Sequence, residues 1–387
     1  MPTPAIRLKI FTESVINQMN LLAEAHGAIN LASGYPDFDP PEELLKAAEE
    51  ALRSGFNQYA IPWGSPRLRQ ALASKLQRFM GIEIDPEEHL TVTCGGTEAM
   101  LAAILAVCDP GDRVIVFSPR YETYGPDMEL AGAQPTFVPL HPPEFNFDPS
   151  ELRRAFQKGV KALVLCNPSN PCGKVFSVDE LRLIGELASE YDAYVITDEV
   201  YEHIIYEPFH HTYIASLPGL FERVISCSSL SKTYAITGWR LGYIVASAEI
   251  TRAVRKIHDY LTLGAAAPLQ EAAVTALRFP DSYYHQLQVE YTQRRNLFFS
   301  LLNQAGLEYL RPQGAYFTLV DISRLPFEDD ISFCYWLAEQ VGVAGVPGSY
   351  FFNEPIRRYV RLNFAKSLPT LTEAGLRLGK LHHKLPR

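Results

Sequence analysis

Lys232 is the residue of this sequence whose surroundings most favour covalent chemistry. It stands in a Ser-Ser-Leu-Ser-Lys-Thr segment, and apolar runs at residues 224–227 and 241–246 indicate a buried strand on each side. An amine at the rim of a core loses its proton more readily than one in water, because burial and nearby cations disfavour the ammonium form. A neutral amine can attack an aldehyde and hold a cofactor as a Schiff base. An ordinary surface lysine in a hydroxyl-rich loop is the alternative.

A second group of residues could bind a phosphate. Arg240 adds a cation eight positions after Lys232, and the serines and threonines around the two cations are hydroxyl donors. Gly96 and Thr97 lie in a Gly-Gly-Thr turn that follows a predicted strand and opens a helix, where backbone N–H groups and the helix start favour an anion. Because Gly and Thr are also ordinary helix caps, this turn alone is weak support.

Three further polar residues belong to predicted strands or follow them. Asp198 closes the apolar strand at residues 193–197, and a carboxylate there needs a cationic partner, because an unpaired buried charge is costly. A helix cap is the alternative for Asp198. Asn170 lies in a repeated Asn-Pro turn that could equally be a plain turn. Arg361 stands on the polar face of an alternating strand at residues 359–364, and a solvated arginine is its alternative.

In chain order these residues resemble the signature of the class I and II aminotransferases, which use pyridoxal 5′-phosphate on the type I fold. The pattern is most similar to the kynurenine, glutamine and methionine aminotransferase group. The resemblance implies that Lys232 binds the cofactor aldehyde and moves the substrate proton, while Asp198 faces the ring nitrogen. It implies that Tyr201 and Asn170 bind the ring hydroxyl and that Tyr121 stacks on the ring. The implied phosphate ligands are Gly96, Thr97, Ser229, Arg240 and, from the other subunit of a homodimer, Tyr59.

The same resemblance implies where the substrate binds. Gly34, Asn170 and Arg361 would surround the substrate carboxylate in an active site that two subunits share. The expected partners are an L-amino acid and a 2-oxo acid, which exchange an amino group by a ping-pong mechanism. Thr97 stands where aspartate-specific members commonly have a lysine, so neutral, aromatic or sulfur-containing donors are expected. Arg120 replaces an aromatic residue common in the group and could alter the preference for the donor's side chain.

Three alternative functions remain open from the sequence. An aspartate aminotransferase could bind the second carboxylate through another cation. A C–S or β-lyase of the same fold would use the same residues to eliminate a leaving group. A regulatory protein that binds the cofactor without catalysis is a different class, and the lack of a helix-turn-helix segment or basic arm counts against it.

The elements that must position these residues follow a βα alternation from residue 90 onward. Near-continuous apolar strands separated by helices predict an α/β fold, with a mostly parallel sheet covered on both faces. The resemblance makes this a seven-stranded sheet in a large domain at residues 41–287, with a smaller α+β domain at 1–40 and 288–387. We also predict helices over residues 6–24 and 121–131, and a long helical stretch after residue 252 broken at residues 264 and 268.

Composition excludes several classes of function. The net charge of −9 leaves no basic stripe for nucleic acid. Six cysteines without a paired CxxC spacing, and ten histidines outside any ligand motif, give no metal site and indicate a reducing compartment. The start lacks a secretion signal and no apolar segment is long enough for a membrane span, so we expect a cytoplasmic protein.

Overall fold

The computed structural model describes residues 3, 5, 8, 11 and 13–386 of the chain. Within them the first helix, α1, covers Val15–Ala25, and Ser14 caps it because its hydroxyl accepts from the backbone N–H of Asn17. Most of the earlier part of the helix predicted over residues 6–24 lies outside the described residues. A short strand follows, β1 (Ile29–Asn30).

The larger sheet has seven strands in the order β2-β8-β7-β6-β5-β3-β4. All neighbouring strands pair in parallel except β8, which runs antiparallel to both β2 and β7. This confirms the predicted mostly parallel seven-stranded sheet. Its strands are β2 (Leu90–Thr93), β3 (Arg113–Ser118), β4 (Gln134–Pro139), β5 (Val160–Cys166), β6 (Tyr194–Asp198), β7 (Val224–Ser229) and β8 (Gly242–Val245).

Helices cover both faces of this sheet. Val195 belongs to the hydrophobic core on one face and its neighbour Ile196 to the core on the other, because successive side chains of a strand point to opposite sides. The near-continuous apolar strands are therefore buried on both faces, as the predicted α/β fold requires. The helices are α2 (Glu42–Arg53), α3 (Pro66–Met80), α4 (Gly96–Val107), α5 (Tyr124–Ala131), α6 (Pro149–Phe156), α7 (Val178–Glu190), α8 (Ala248–Thr262) and α9 (Ala267–Leu277).

A second, antiparallel sheet and its helices form another hydrophobic core. The sheet has the order β12-β13-β10-β9, and β1 pairs in parallel with β11. The predicted boundary between residues 287 and 288 falls inside helix α10, and the division into domains stays a prediction. The elements are α10 (Asp281–Gln304), β9 (Glu308–Leu310), β10 (Phe317–Asp321), α11 (Asp330–Trp336), β11 (Val343–Ala344), β12 (Val346–Pro347), β13 (Tyr359–Asn363), α12 (Leu368–Leu378) and α13 (Leu381–Lys384).

Several local predictions differ from the structure. The helix predicted from residue 121 begins at Tyr124, which leaves Tyr121 in the preceding turn. Pro268 was predicted to break a helix but lies in the first turn of α9, where its missing N–H costs no hydrogen bond. Strand β13 was expected to bury one face, yet all five of its residues are buried.

No helix in the described part of the chain is long and apolar enough to cross a bilayer.

Candidate active site

A cavity of about 210 Å³ opens at the carboxyl edge of the larger sheet, where ligands of parallel sheets commonly bind. It lies where β5, β6 and β7 end and α4 begins. An outer cavity of about 670 Å³ shares much of its wall and reaches Gly34, Glu122 and Arg361. Most of the predicted site residues therefore meet here. Those on the inner wall are Gly96, Thr97, Tyr121, Asn170, Asp198, Tyr201, Ser229, Lys232 and Arg240.

Lys232 lies between the two cavities and is partly buried. Its Nζ donates to the carbonyl oxygen of Gly34 at 2.9 Å and lies 6.0 Å from the centre of the Tyr316 ring. Burial is the main cause that lowers its pKa from 10.5 to about 8, with Arg240 adding to the effect and Asp198 opposing it. Near pH 8 a substantial fraction of the protein molecules therefore carry Lys232 as a neutral amine, which can act as a nucleophile and a base.

The lowered pKa gives a testable pH dependence. Because only the neutral amine attacks an aldehyde, the rate at which the cofactor-free protein bonds to pyridoxal 5′-phosphate should rise with pH through a midpoint near 8. An ordinary lysine would give a midpoint near 10.4. Stopped-flow absorbance measures the rate, and trapping with borohydride followed by peptide mapping shows whether Lys232 is the residue modified. A midpoint near 10 would contradict the assignment.

The turn between β2 and α4, at Gly95, forms one side of a concave site that could bind an anion, which we call the anion cup. Gly95 has a positive φ of 86°, and a Cβ there would meet the Arg240 guanidinium at 2.5 Å. A Cβ on Gly242 would meet the Gly95 carbonyl carbon at 2.4 Å, so neither position admits a side chain. The N-terminus of α4 and the guanidinium thus face the same space. This arrangement fits the phosphate of the cofactor.

Ser229 and Ser231 form the other side of this cup. The Ser229 hydroxyl donates to Ser231 Oγ at 2.6 Å and accepts from the Ser231 backbone N–H at 3.0 Å. Both residues line the inner cavity beside Lys232. Ser231 was not predicted as a ligand, although its place directly before the lysine in a serine-rich segment was the available signal. Thr97, at the start of α4, is exposed to the cavity.

Asp198 ends β6 on the floor of the inner cavity. Burial raises the pKa of its carboxyl, while a hydrogen bond from the Tyr124 hydroxyl at 2.7 Å opposes that rise. The backbone N–H of Val200 donates to the other carboxylate oxygen at 3.3 Å. A cation facing this acid would restore its charge, which is what a protonated ring nitrogen provides.

Tyr124 was missed from the sequence, and its role can be tested. Changing Tyr124→Phe removes the donor that stabilises the charged Asp198, so the pKa of Asp198 should rise further. We expect kcat/KM to fall about 10-fold, the loss typical of one hydrogen bond to a charged group. The acid limb of the pH–rate profile should move to higher pH. Tyr194→Phe, on the same sheet but outside the cavity, is the control, and an unshifted profile in Y124F would contradict the role.

Arg361 is fully buried on β13 rather than solvated. Its Nη1 donates to Asn170 Oδ1 at 2.9 Å and its Nη2 to the carbonyl oxygen of Ala32 at 2.8 Å. The guanidinium packs against the rings of Phe317 and Phe351, at 4.4 and 4.8 Å from their centres. Nε has no hydrogen-bond partner among the described residues. A buried cation fixed in this way can bind a carboxylate in the outer cavity.

Aromatic side chains surround the lysine. Tyr121 and Tyr201 line both cavities, and Tyr201 packs edge-on against Tyr316 with 5.1 Å between ring centres. The Tyr316 hydroxyl donates to the same Gly34 carbonyl as Lys232, at 2.8 Å. Sequence reasoning missed Tyr316, because its place before β10 carries no polar signal. A Cβ on Gly34 would meet Phe317 at 3.6 Å, an ordinary contact, so packing within the chain does not by itself demand glycine there.

Two predicted residues lie away from these cavities. Tyr59 is 88% exposed and lines neither cavity, so it cannot complete the site of its own chain. Arg120 also faces away, with its guanidinium 4.6 Å from the centre of the Phe137 ring. The expectation that Arg120 alters the donor preference through direct contact therefore has no support in the geometry.

The sheet order and the lysine opposite a buried acid place this chain among the fold type I enzymes that use pyridoxal 5′-phosphate. A family model described as aminotransferase class I and II matches residues 26–377. The chain belongs to that family and is an aminotransferase, which confirms the fold, the class of enzyme and the cofactor expected from the sequence.

Individual relatives cover nearly the whole chain. The methionine aminotransferase of Escherichia coli is 38% identical, over 98% of each chain. Its solved structure superposes with a TM-score of 0.94, covering 98% of this chain and all of that one. The solved N-succinyldiaminopimelate aminotransferase of Mycobacterium tuberculosis has a TM-score of 0.95 at 38% identity, with coverage of 98% and 100%. Human kynurenine–oxoglutarate transaminase 1 is 34% identical over 93% of each chain.

Proposed function

We propose that this aminotransferase takes the amino group from neutral, aromatic or sulfur-containing L-amino acids and gives it to a 2-oxo acid. The observation that supports this donor preference is the small number of cationic side chains that line the outer cavity. Among the residues that the structure describes, its basic lining residues are Lys232, Arg240 and Arg361. Lys232 is the proposed nucleophile and Arg240 faces the anion cup, so within this described wall Arg361 remains to bind one substrate carboxylate. A second carboxylate on the donor would have no cationic partner among these described residues.

The relatives do not decide the donor, because the donors in their names differ. The methionine and kynurenine enzymes act on a sulfur-containing and an aromatic donor, as their names state, whereas the mycobacterial enzyme acts on a succinylated diamino acid. The residues of the cavity must therefore decide the donor of this chain.

Each site residue has a proposed task. Bound pyridoxal 5′-phosphate supplies an aldehyde that bonds to amines and a ring that withdraws electrons from the substrate. Lys232 binds the cofactor and then moves the proton of the substrate α-carbon, for which a pKa of about 8 suits neutral pH. Arg361 grips the α-carboxylate, while Asn170 orients the guanidinium. Asp198 keeps the ring nitrogen protonated and Tyr201 binds the ring hydroxyl.

The remaining residues hold the cofactor in place in this proposal. Tyr121 stacks on the ring, and the phosphate lies in the anion cup. The residues that bind the phosphate are Gly96, Thr97, Ser229 and Arg240, with Tyr59 from a second subunit.

We also propose a cytoplasmic homodimer with shared active sites. Tyr59, Ile61 and Tyr260 are exposed by 88%, 41% and 93%, and exposed aromatic and aliphatic groups of this kind favour a protein interface. All six cysteines are free thiols, which suits a reducing compartment. Residues 41–287 form the large domain and the remainder the small one in this proposal.

A donor panel tests the proposed function. The purified enzyme should convert methionine, phenylalanine and glutamine with pyruvate or 2-oxoglutarate as acceptor, and initial rates at varied concentrations should give parallel double-reciprocal lines. Efficient turnover of aspartate alone would contradict the donor preference. Release of pyruvate and ammonia from a cysteine conjugate without an oxo acid would instead identify a lyase.

A further inference from the structure

We propose that His258 is a positioning residue for the phosphate of the cofactor: with both ring nitrogens protonated, it joins the anion cup, through Glu98, to the loop that carries Tyr59. The inference rests on the proposed function, because that function places the phosphate in the cup and brings Tyr59 to it from a second subunit. It gives a role to a buried histidine that lines neither cavity of the active site. His258 acts through other residues and does not touch the cofactor.

His258 lies on α8 and is fully buried. Its Nε2 lies 2.8 Å from the carbonyl oxygen of Pro62, which can only accept a hydrogen bond, so Nε2 must donate. Its Nδ1 lies 2.7 Å from Oε1 of Glu98, which is also buried. A neutral ring that donates from Nε2 would present a lone pair at Nδ1 to a carboxylate. The two contacts together therefore require a proton on each nitrogen, and His258 is an imidazolium paired with Glu98.

Glu98 connects this charged pair to the anion cup. It lies in the first turn of α4, and its Oε2 accepts from the backbone N–H of Cys94. Its Oε1 accepts from the Thr262 hydroxyl at 2.8 Å as well as from His258. The carboxylate thus closes the turn around Gly95, where a positive φ of 86° and the lack of a Cβ form the cup. A carboxylate that accepts three such hydrogen bonds holds the turn in one shape.

The charges of the pair agree with this geometry. Burial disfavours the charged ring of His258, but the hydrogen bond and the charge of Glu98 outweigh it and raise the pKa of His258 above its usual 6.5. Burial likewise opposes the charge of Glu98, yet the hydrogen bonds from His258 and from the backbone of Cys94 lower the pKa of its carboxyl. The two buried charges stabilise each other, so the loss of one leaves the other without its partner.

The second contact of His258 reaches the loop that carries Tyr59. Pro62 lies three positions after Tyr59, and the carbonyl oxygen of its neighbour Trp63 accepts from the backbone N–H of Val92 on β2 at 3.0 Å. Tyr59 itself is 88% exposed, so a second subunit can contact it. His258 therefore fixes this loop at its base, where the chain joins the sheet. One charged pair holds the cup of its own subunit and the residue proposed to complete the cup of the other.

Two variants of His258 each keep one of its contacts. His258→Gln places an amide N–H near the position of Nε2 and keeps the contact with Pro62, whereas His258→Asn places one near Nδ1 and keeps the contact with Glu98. Absorbance titration of the cofactor-free protein gives the dissociation constants of pyridoxal 5′-phosphate and of pyridoxal, which lacks the phosphate. The ratio of the constant for pyridoxal to that for pyridoxal 5′-phosphate measures the contribution of the phosphate site. It should fall about 10-fold in H258Q, the loss typical of one hydrogen bond to a charged group.

The contribution of the second subunit is separated by Tyr59→Phe. The cup keeps its link in H258N, so the ratio should fall only about 2- to 10-fold there, and this fall should disappear in a Y59F background. The fall in H258Q should persist in that background, because it arises in the cup itself. A fall in H258N that persists in Y59F would overturn the link between the subunits. His285→Gln, which changes an exposed histidine on α10, is the matched control and should leave the ratio unchanged.

The phosphorus NMR resonance of the bound cofactor is a second readout, and it should shift in H258Q but not in H285Q. An unchanged ratio and resonance in a folded H258Q protein would overturn the role of His258, while the phosphate site and the proposed reaction stand. An equal weakening of both ligands, with the ratio unchanged, would show a structural role only and would also overturn it.

The remaining outcomes keep this inference distinct from the proposed function. If neither His258 variant folds, Glu98→Gln carries the test, because it removes the charge that faces the imidazolium, and an unchanged ratio there has the same meaning. A wild-type protein that binds pyridoxal and pyridoxal 5′-phosphate equally would contradict the phosphate site of the proposed function itself.

Discussion

Changing Lys232→Ala should abolish measurable transamination. Among the residues that the structure describes, Lys232 carries the only side-chain amine on the inner cavity wall, and both of its proposed tasks disappear with it. Loss of a positioned general base alone costs about 10²- to 10⁴-fold, and loss of the covalent attachment adds to that. Coupled assays of 2-oxo acid release measure turnover, and absorbance of the purified protein shows whether the cofactor is still covalently bound. Lys158→Ala, which removes an exposed amine, should behave as the wild type.

Two results would contradict this account of Lys232. One is a K232A enzyme that turns over within about 10-fold of the wild type, since the general base would then be a different group. The other is a wild-type protein that stays colourless when it is supplied with the cofactor. Partial rescue of K232A by added small amines would instead support the role, because a free amine of suitable pKa can replace the proton-transfer group.

Changing Arg361→Leu should give the second-largest loss. Removing one partner of a buried, hydrogen-bonded charge pair costs kcat/KM about 10²- to 10⁴-fold. The loss should appear mainly in KM, because the guanidinium binds the substrate without taking part in proton transfer. Arg361→Lys keeps the charge but loses the planar fork that Asn170 and Ala32 orient, so it should recover little of the activity. Arg357→Leu, an exposed position close in sequence, is the control.

A donor that lacks the α-carboxylate makes this test specific. Wild-type and R361L enzymes should react equally slowly with a simple alkylamine, because that amine cannot use the guanidinium. A loss in R361L that is as large for the alkylamine as for methionine would show that Arg361 only stabilises the fold. The assignment of the carboxylate site would then be wrong.

The local elements were readable from the sequence because their signals are local. Helix α3 begins where Ser65 caps it and Pro66 starts it, and Gly81 follows its end in a left-handed conformation. The apolar strands of the larger sheet are buried on both faces, so their runs were visible without an alternating pattern. Polar residues that end such strands or follow them within a few positions, as Asp198 and Asn170 do, had to meet at one edge of the sheet.

Contacts between residues distant in sequence could not be predicted from local sequence patterns. The hydrogen bond from Tyr124 to Asp198 joins residues 74 positions apart, and the one from Ser14 to Glu122 joins residues 108 apart. Tyr124 and Glu122 have no local pattern that separates them from an ordinary core tyrosine or a solvated acid. Arg120 replaces an aromatic residue common in the group, yet its guanidinium packs against Phe137 and lines neither cavity, a direction that no local pattern predicts.

The sequence by itself determined the class of this protein. A nucleophilic lysine, an acid at a strand end and a glycine-rich turn before a helix each belong to a local element that its own sequence pattern predicts. Only the tertiary structure decided which groups surround them. The burial that lowers the pKa of Lys232 and the hydrogen bonds that orient Arg361 come from segments far apart in the chain. Burial and charge depend on everything within a few ångströms of a group, and that environment exists only once the chain has folded.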